Sequence, residues 1–102
     1  MNMNNMINCI NNLIKSKSAD LNQCAFCKEK PTILFKVTPM TEEVSFMLYH
    51  PCKNPDKAPA LEYKLTTKTT VSKINNNLNV VNEILDHLIV SWNKDVFTEC
   101  QR

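Results

Sequence analysis

The sequence predicts an α+β fold: a small antiparallel sheet with an N-terminal helix before it and a long C-terminal helix after it. Three observations support this prediction. A helical apolar repeat opens the chain, alternating apolar residues fill its middle, and a longer helical repeat closes it. The chain has 102 residues, 43% of them hydrophobic, which suits one domain spanning residues 1–102 with a modest core.

The first helix is predicted over residues 1–17. Its apolar residues recur at steps of three and four, which is typical of a helix of about four turns. They are Met3, Met6, Ile7, Ile10, Leu13 and Ile14. Asparagines fill the other face, and asparagine is a poor helix former. This helix should therefore depend on packing rather than on propensity, and the polar residues 16–23 read as a linker.

The sheet is predicted within residues 21–67, where apolar residues alternate with polar ones. One side of the first strand is predicted to carry Ile33, Phe35 and Val37, and one side of the second is predicted to carry Val44, Phe46 and Leu48. Pro39 lies between the two strands, and proline cannot join a central ladder, so a turn is expected there. Residues 61–65 alternate again and predict a third strand.

The C-terminal helix is predicted over residues 70–94, from an apolar seam that steps by three and four. The seam consists of Val71, Ile74, Leu78, Val81, Leu85, Leu88 and Trp92. Such a seam could form a homodimer interface, or it could pack on the hairpin and the first helix. Additional apolar positions widen the stripe, which favours the globular alternative with Trp92 as a core anchor. A homodimer through this helix stays open.

Two close-spaced ligand pairs flank the predicted hairpin: Cys24-x-x-Cys27 and His50-x-Cys52. Tetrahedral zinc takes four Cys or His donors, and a hairpin would bring these pairs together. The fold is therefore expected to be zinc-ribbon-like, with a structural, coordinatively full site. The weak point is Lys28, because the position after the second cysteine often needs a left-handed conformation that glycine adopts most easily.

Other residues of the chain could supply the fourth ligand. The alternatives to His50 are Cys9, His87, Cys100 and Asp56. An odd count of five cysteines, together with a start that does not resemble an export signal, favours metal in a reducing cytoplasm over disulfides.

Several function classes are disfavoured by the composition. The net charge is +2, and no apolar run is long enough to span a membrane. Glycine is absent, so no glycine-rich phosphate loop exists, and no hydrolase or metalloprotease motif occurs. His87 lies off the helical seam and is expected to face solvent. We therefore expect a protein that is not an enzyme.

Lysines and aromatic residues are interleaved around the hairpin, a pattern that zinc ribbons use on nucleic acid. Arginine, the usual base-reading side chain, occurs only at Arg102. This surface is accordingly interpreted as a solvated face, and nucleic acid stays an alternative partner.

The order of these parts resembles a known family, the phage restriction-alleviation proteins of the Lar type. Those short zinc ribbons open with a Leu-x-Pro-Cys-Pro-Phe-Cys-Gly knuckle, continue through a hairpin with a second Cys pair, and close with a helix ending in Ala-x-x-x-Trp-Asn-x-Arg. This chain has Leu21-Asn-Gln-Cys-Ala-Phe-Cys27, then His50-Pro-Cys52, then Leu88-Ile-Val-Ser-Trp-Asn-Lys94. It departs from the pattern in lacking the knuckle glycine and in having His-x-Cys as its second pair.

The resemblance, which covers about residues 21–95, implies a phage or prophage protein that binds and inhibits or modulates a host defence complex. That complex would be a restriction–modification or CRISPR-type assembly in the host cytoplasm. The alternative is a nucleic-acid-binding zinc-ribbon regulator.

Overall fold

The computed structural model describes residues 3–24, 27–52 and 62–99. Its elements in chain order are α1 (Met3–Lys17), a 3-10 turn (Ser18–Asp20), β1 (Thr32–Thr38), β2 (Glu43–Pro51), β3 (Glu62–Thr70), α2 (Val71–Asn76) and α3 (Asn79–Glu99). The predicted α+β class, with its N-terminal helix, three-stranded antiparallel sheet and C-terminal helix, is confirmed.

The three strands form one antiparallel sheet in the order β1-β2-β3. In the ladder, Ile33 lies opposite Leu48, which in turn lies opposite Leu65. Because side chains alternate across a strand, one register places all of these residues on a single face. Along β2 every second residue is buried, beginning at Val44, as the alternation predicted. The strands run further than the sequence indicated, and β3 ends at Thr70, directly before α2 begins.

The core lies between the inner face of this sheet and the helices. Its hydrophobic side chains with at most 1% exposed surface come from both layers, and they are Met6, Ile10, Cys24, Val44, Phe46, Leu48, Ile74, Val81, Leu85, Leu88 and Trp92. The seam predicted on the C-terminal helix therefore packs within the chain, and Trp92 is fully buried as expected. A dimer through this helix would have to use residues outside the seam.

The C-terminal helix is the element that differs from its prediction. Instead of one helix from residue 70, α2 ends at Asn76 and α3 begins at Asn79. Asn77 has an extended backbone, and its side-chain oxygen accepts a hydrogen bond from the Asn79 backbone N–H at 3.0 Å. Asparagine side chains compete in this way with helical hydrogen bonding. The apolar period continues across the break, which is why the seam alone did not predict it.

Two polar contacts hold helix ends to neighbouring elements. Thr70 caps α2 by accepting from the Lys73 backbone N–H at 3.2 Å. Lys17, at the end of α1, forms an ion pair with Asp86 of α3 at 2.6 Å. Among the described helices, none combines the length and the apolar character that a membrane span requires.

Candidate metal centre

The second ligand pair comes from the end of β2, and the strand period explains its spacing. Val44, Phe46 and Leu48 face the core, so the next two inward positions are 50 and 52. His50 is 2% exposed and Cys52 is 4% exposed, whereas Pro51 between them faces solvent. An i, i+2 pair on a strand thus places both donors on the same side, next to the helices.

The first pair lies on a tight turn stabilised by its own backbone. The Lys28 N–H donates to the Cys24 carbonyl oxygen at 2.9 Å, and the Cys24 N–H donates to the Glu29 carbonyl oxygen at 2.9 Å. Lys28 has φ of 63°. This is the left-handed conformation expected after the second cysteine, and here a lysine adopts it instead of a glycine. The strain of a non-glycine residue in that region is about 1 kcal/mol.

The turn and the strand end bring the four predicted donors together. The Sγ atoms of Cys24 and Cys52 are 3.8 Å apart, and the Cys27 Sγ atom is 3.4 Å from the His50 Nε2 atom. All four ligand atoms lie within 4.8 Å of one another. The sulfur–sulfur distance is far longer than a disulfide bond of about 2.05 Å.

The two shorter separations match those around a tetrahedral ion, whereas the 4.8 Å span of the whole group is wider, so a bound ion would draw the four atoms closer together. Metal–sulfur bonds of about 2.3 Å place two sulfurs about 3.8 Å apart, and a sulfur and an imidazole nitrogen about 3.6 Å apart. Three thiols and one imidazole are donors of the soft type that binds Zn²⁺ and similar ions. The chain therefore has a cluster able to hold a metal ion, with Cys24 fully buried and Cys27 partly exposed.

Two consecutive residues of α3 hold the segment that leads into the turn. The Trp92 indole N–H donates to the Asn22 carbonyl oxygen at 2.8 Å. The Asn93 side chain accepts from the Asn22 N–H at 2.8 Å and donates to the Asp20 carbonyl oxygen at 2.9 Å. We call these three hydrogen bonds the Trp-Asn clamp. They fix the backbone two residues before Cys24, so α3 positions the first ligand pair.

The Trp92 ring also contacts His50 of the second pair directly. Its centroid lies 5.0 Å from that of His50 and 5.2 Å from that of Tyr63, both in edge-to-face geometry. Tyr63 lies opposite His50 in the ladder, and its hydroxyl donates to the Asp95 carboxylate at 2.9 Å. Sequence reasoning did not assign a role to Asn93, although the Trp-Asn dipeptide was part of the family resemblance.

The structure describes two of the four alternatives to His50 as the fourth ligand, and neither belongs to the cluster. Among the described residues, the group able to hold an ion consists of Cys24, Cys27, His50 and Cys52, without Cys9 or His87. His87 faces solvent on α3, as predicted. Asp56 and Cys100 lie outside the described residues.

The fold and the cluster together define a class: an α+β protein in which a four-donor cluster joins the two ends of an antiparallel ribbon. Comparisons of the chain with protein-family models, curated proteins and solved structures found no match. The resemblance to Lar-type proteins accordingly stays a prediction.

Proposed function

We propose that the chain is a zinc-stabilised, non-enzymatic phage or prophage protein that binds a host defence complex and inhibits or modulates it. The observation that supports this proposal most directly is the composition of the cluster. Four protein donor atoms lie within 4.8 Å of one another, so a tetrahedral ion bound by all four would have no open position for a substrate or a water. Sites of this kind stabilise folds, whereas catalytic zinc sites keep one position open.

The proposed ion is zinc, which this donor set commonly binds. Cys₃His sets are among the common structural zinc sites, and carboxylate-rich sites suit magnesium or calcium instead. The ligands would be Cys24, Cys27, His50 and Cys52, and the ion would supply a staple between the turn and the end of β2. We expect protein purified under reducing conditions to contain near-equimolar zinc by elemental analysis. A Cys24→Ser/Cys52→Ser variant should contain far less.

The proposed role in host defence is supported by the order of motifs that the chain shares with the Lar type. The last of these motifs is the Trp-Asn dipeptide of α3. Its side chains form the Trp-Asn clamp, which holds α3 to the segment before Cys24. A small rigid scaffold suits a protein that acts by covering a partner's surface, since little conformational entropy is lost on binding.

The proposal is tested by expressing the chain in cells that carry a restriction–modification or CRISPR-type system. Unmodified or targeted phage should plate more efficiently when the chain is present. The Cys24→Ser/Cys52→Ser variant should lose this effect, and His87→Ala, a solvent-exposed change outside the cluster, should retain it. Equal plating with and without the chain, across both kinds of system, would refute the proposed target class.

A second candidate function is a nucleic-acid-binding regulator, because Lys36, Lys64 and Lys68 share one face of the sheet with Tyr49. The two functions differ in salt dependence. Affinity for nucleic acid falls steeply with ionic strength as counterions are released. Binding to a protein surface through apolar contacts should change much less between low and physiological salt.

A further inference from the structure

The sheet has an outer face that the described helices do not cover. Residues of β1, β2 and β3 form rows across this face, and the central row is Leu34, Met47 and Thr66. Leu34 is 48% exposed, although it lies in the middle of a strand. Leu34 lies opposite Met47 in the ladder, so their side chains form one contiguous apolar patch, and apolar patches rimmed by polar residues are a feature of binding surfaces.

A shallow groove of about 440 Å³ runs over this central row. Its lining residues are Leu34, Phe35, Lys36, Ser45, Met47 and Thr66. The floor is dominated by the leucine and methionine side chains, and methionine adapts readily to differently shaped partners. The groove is therefore suited to one or two apolar side chains from a binding partner.

The charge around the groove is predominantly positive. Lys36 and Lys68 lie on one side of the central row, and Lys64 lies on the other side, over the Tyr49 ring at 5.8 Å. Glu43 is the one acidic residue among the side chains that the structure describes on this face. Its Oε1 atom lies 3.5 Å from the Lys68 Nζ atom. A partner with negative charge on both sides of an apolar anchor would complement this arrangement.

We propose that the outer face of the sheet binds an acidic polypeptide segment that inserts one or two apolar side chains between flanking Asp or Glu residues. The inference rests on the proposed binding function and names the class of partner surface for it. The apolar side chains occupy the groove over Leu34 and Met47. The carboxylates lie near Lys36 and Lys64, where they also accelerate association.

Two other occupants fit the same face less well. A second copy of the chain would bring the lysines of both faces together, and like charges in an interface are unfavourable. A nucleic acid would find phosphate partners, but its bases need exposed aromatic rings to stack on. The central row is aliphatic, and Tyr49 already has Lys64 over its ring.

The test uses the full chain in its metal-loaded form, immobilised and exposed to a display library of random short peptides. Selected peptides are synthesised, and their affinities are measured by fluorescence anisotropy. The groove variant is Leu34→Thr/Met47→Thr, with Val90→Thr as its control, because Val90 is an apolar residue of α3 that is 65% exposed. The charge variant is Lys36→Glu/Lys64→Glu, with Lys15→Glu/Lys73→Glu as a control of equal net charge.

We expect the selected peptides to be enriched in Asp and Glu around Leu, Ile, Phe or Met. The groove variant and the charge variant should each lower peptide affinity at least about tenfold, and both controls should leave it unchanged. Thermal unfolding and metal content of every variant show whether the fold is retained. A variant that unfolds is replaced by its single substitutions, Leu34→Thr and Lys36→Glu.

Several results would overturn the inference. The first two are selected peptides without acidic enrichment, and peptide affinities that neither the groove variant nor the charge variant changes. The other two are tighter binding of an oligothymidine through the same lysines, and a homodimer that Leu34→Thr abolishes. The plating assay separates this inference from the proposed function. Relief of restriction that persists in the groove and charge variants would contradict the surface assignment alone. Acidic-peptide binding without any relief would contradict the host-defence role alone.

Discussion

Lys28 shows how one residue stores strain at the candidate metal centre. Its φ of 63° is imposed by the turn that presents Cys24 and Cys27, in which its N–H donates to the Cys24 carbonyl. Only glycine adopts that conformation without a steric penalty. We expect Lys28→Gly to be more stable than Lys28→Ala by about 1 kcal/mol, measured by urea unfolding of the metal-loaded protein. The alanine variant is the matched control for loss of the lysine charge, and equal stability of the two would contradict the strain argument.

Asn93 is the residue whose polar side chain has the most specific task outside the cluster. Its amide both accepts from the Asn22 N–H and donates to the Asp20 carbonyl. We expect Asn93→Ala to lower the free energy of unfolding by about 1 kcal/mol, because two exposed backbone groups exchange their bonds to the amide for bonds to water. The exposed neighbour Lys94→Ala should change it by less than about 0.5 kcal/mol.

The Asn93 prediction also has a readout at the metal. If the clamp positions Cys24, Asn93→Ala should weaken zinc binding in a competition titration with a chromophoric chelator, and Lys94→Ala should not. A loss of stability with unchanged zinc affinity would restrict Asn93 to a structural role distant from the ligands.

At the scale of elements, the strand period carried most of the predictive power. Alternation from Val44 to Leu48 defined the inner face, and its continuation explains why His50 and Cys52 point the same way. The helix break was not predictable from the apolar seam, because Leu78 and Val81 keep the period across Asn77. The clamp was equally inaccessible, since it joins residues about 70 positions apart through side-chain-to-backbone bonds that leave no periodic signal.

The break between α2 and α3 predicts that alanine substitutions two residues apart change the stability of the protein in opposite directions. Asn77→Ala removes the side chain that accepts from the Asn79 N–H, and loss of such a cap costs about 1 kcal/mol. Asn75 is exposed within α2, so Asn75→Ala should stabilise the protein by about 0.5 kcal/mol through helix propensity. Thermal unfolding of both variants tests this, and stabilisation by Asn77→Ala would show that one continuous helix is preferred.

For the whole molecule, the decisive quantity is the energy of metal binding compared with the stability of the fold. Structural zinc contributes about 10–16 kcal/mol to the folding of small domains, whereas a domain of this size has a net stability of about 5–15 kcal/mol. A chelator should therefore unfold at least the end of the sheet that carries His50 and Cys52. Hydrogen exchange should show lost protection in residues 27–29 and 48–52 before the rest of the described residues.

The control for metal removal is a change of ligand that keeps four donors. His50→Cys replaces the imidazole with a fourth thiol and should retain near-equimolar zinc, although it leaves a gap beside Trp92. His50→Ala removes the donor and creates the same kind of gap, so the difference between the two variants isolates coordination from packing. If both bind zinc equally and unfold at the same temperature, His50 is not a ligand. Its contact with Cys27 would then be a hydrogen bond between side chains of the core.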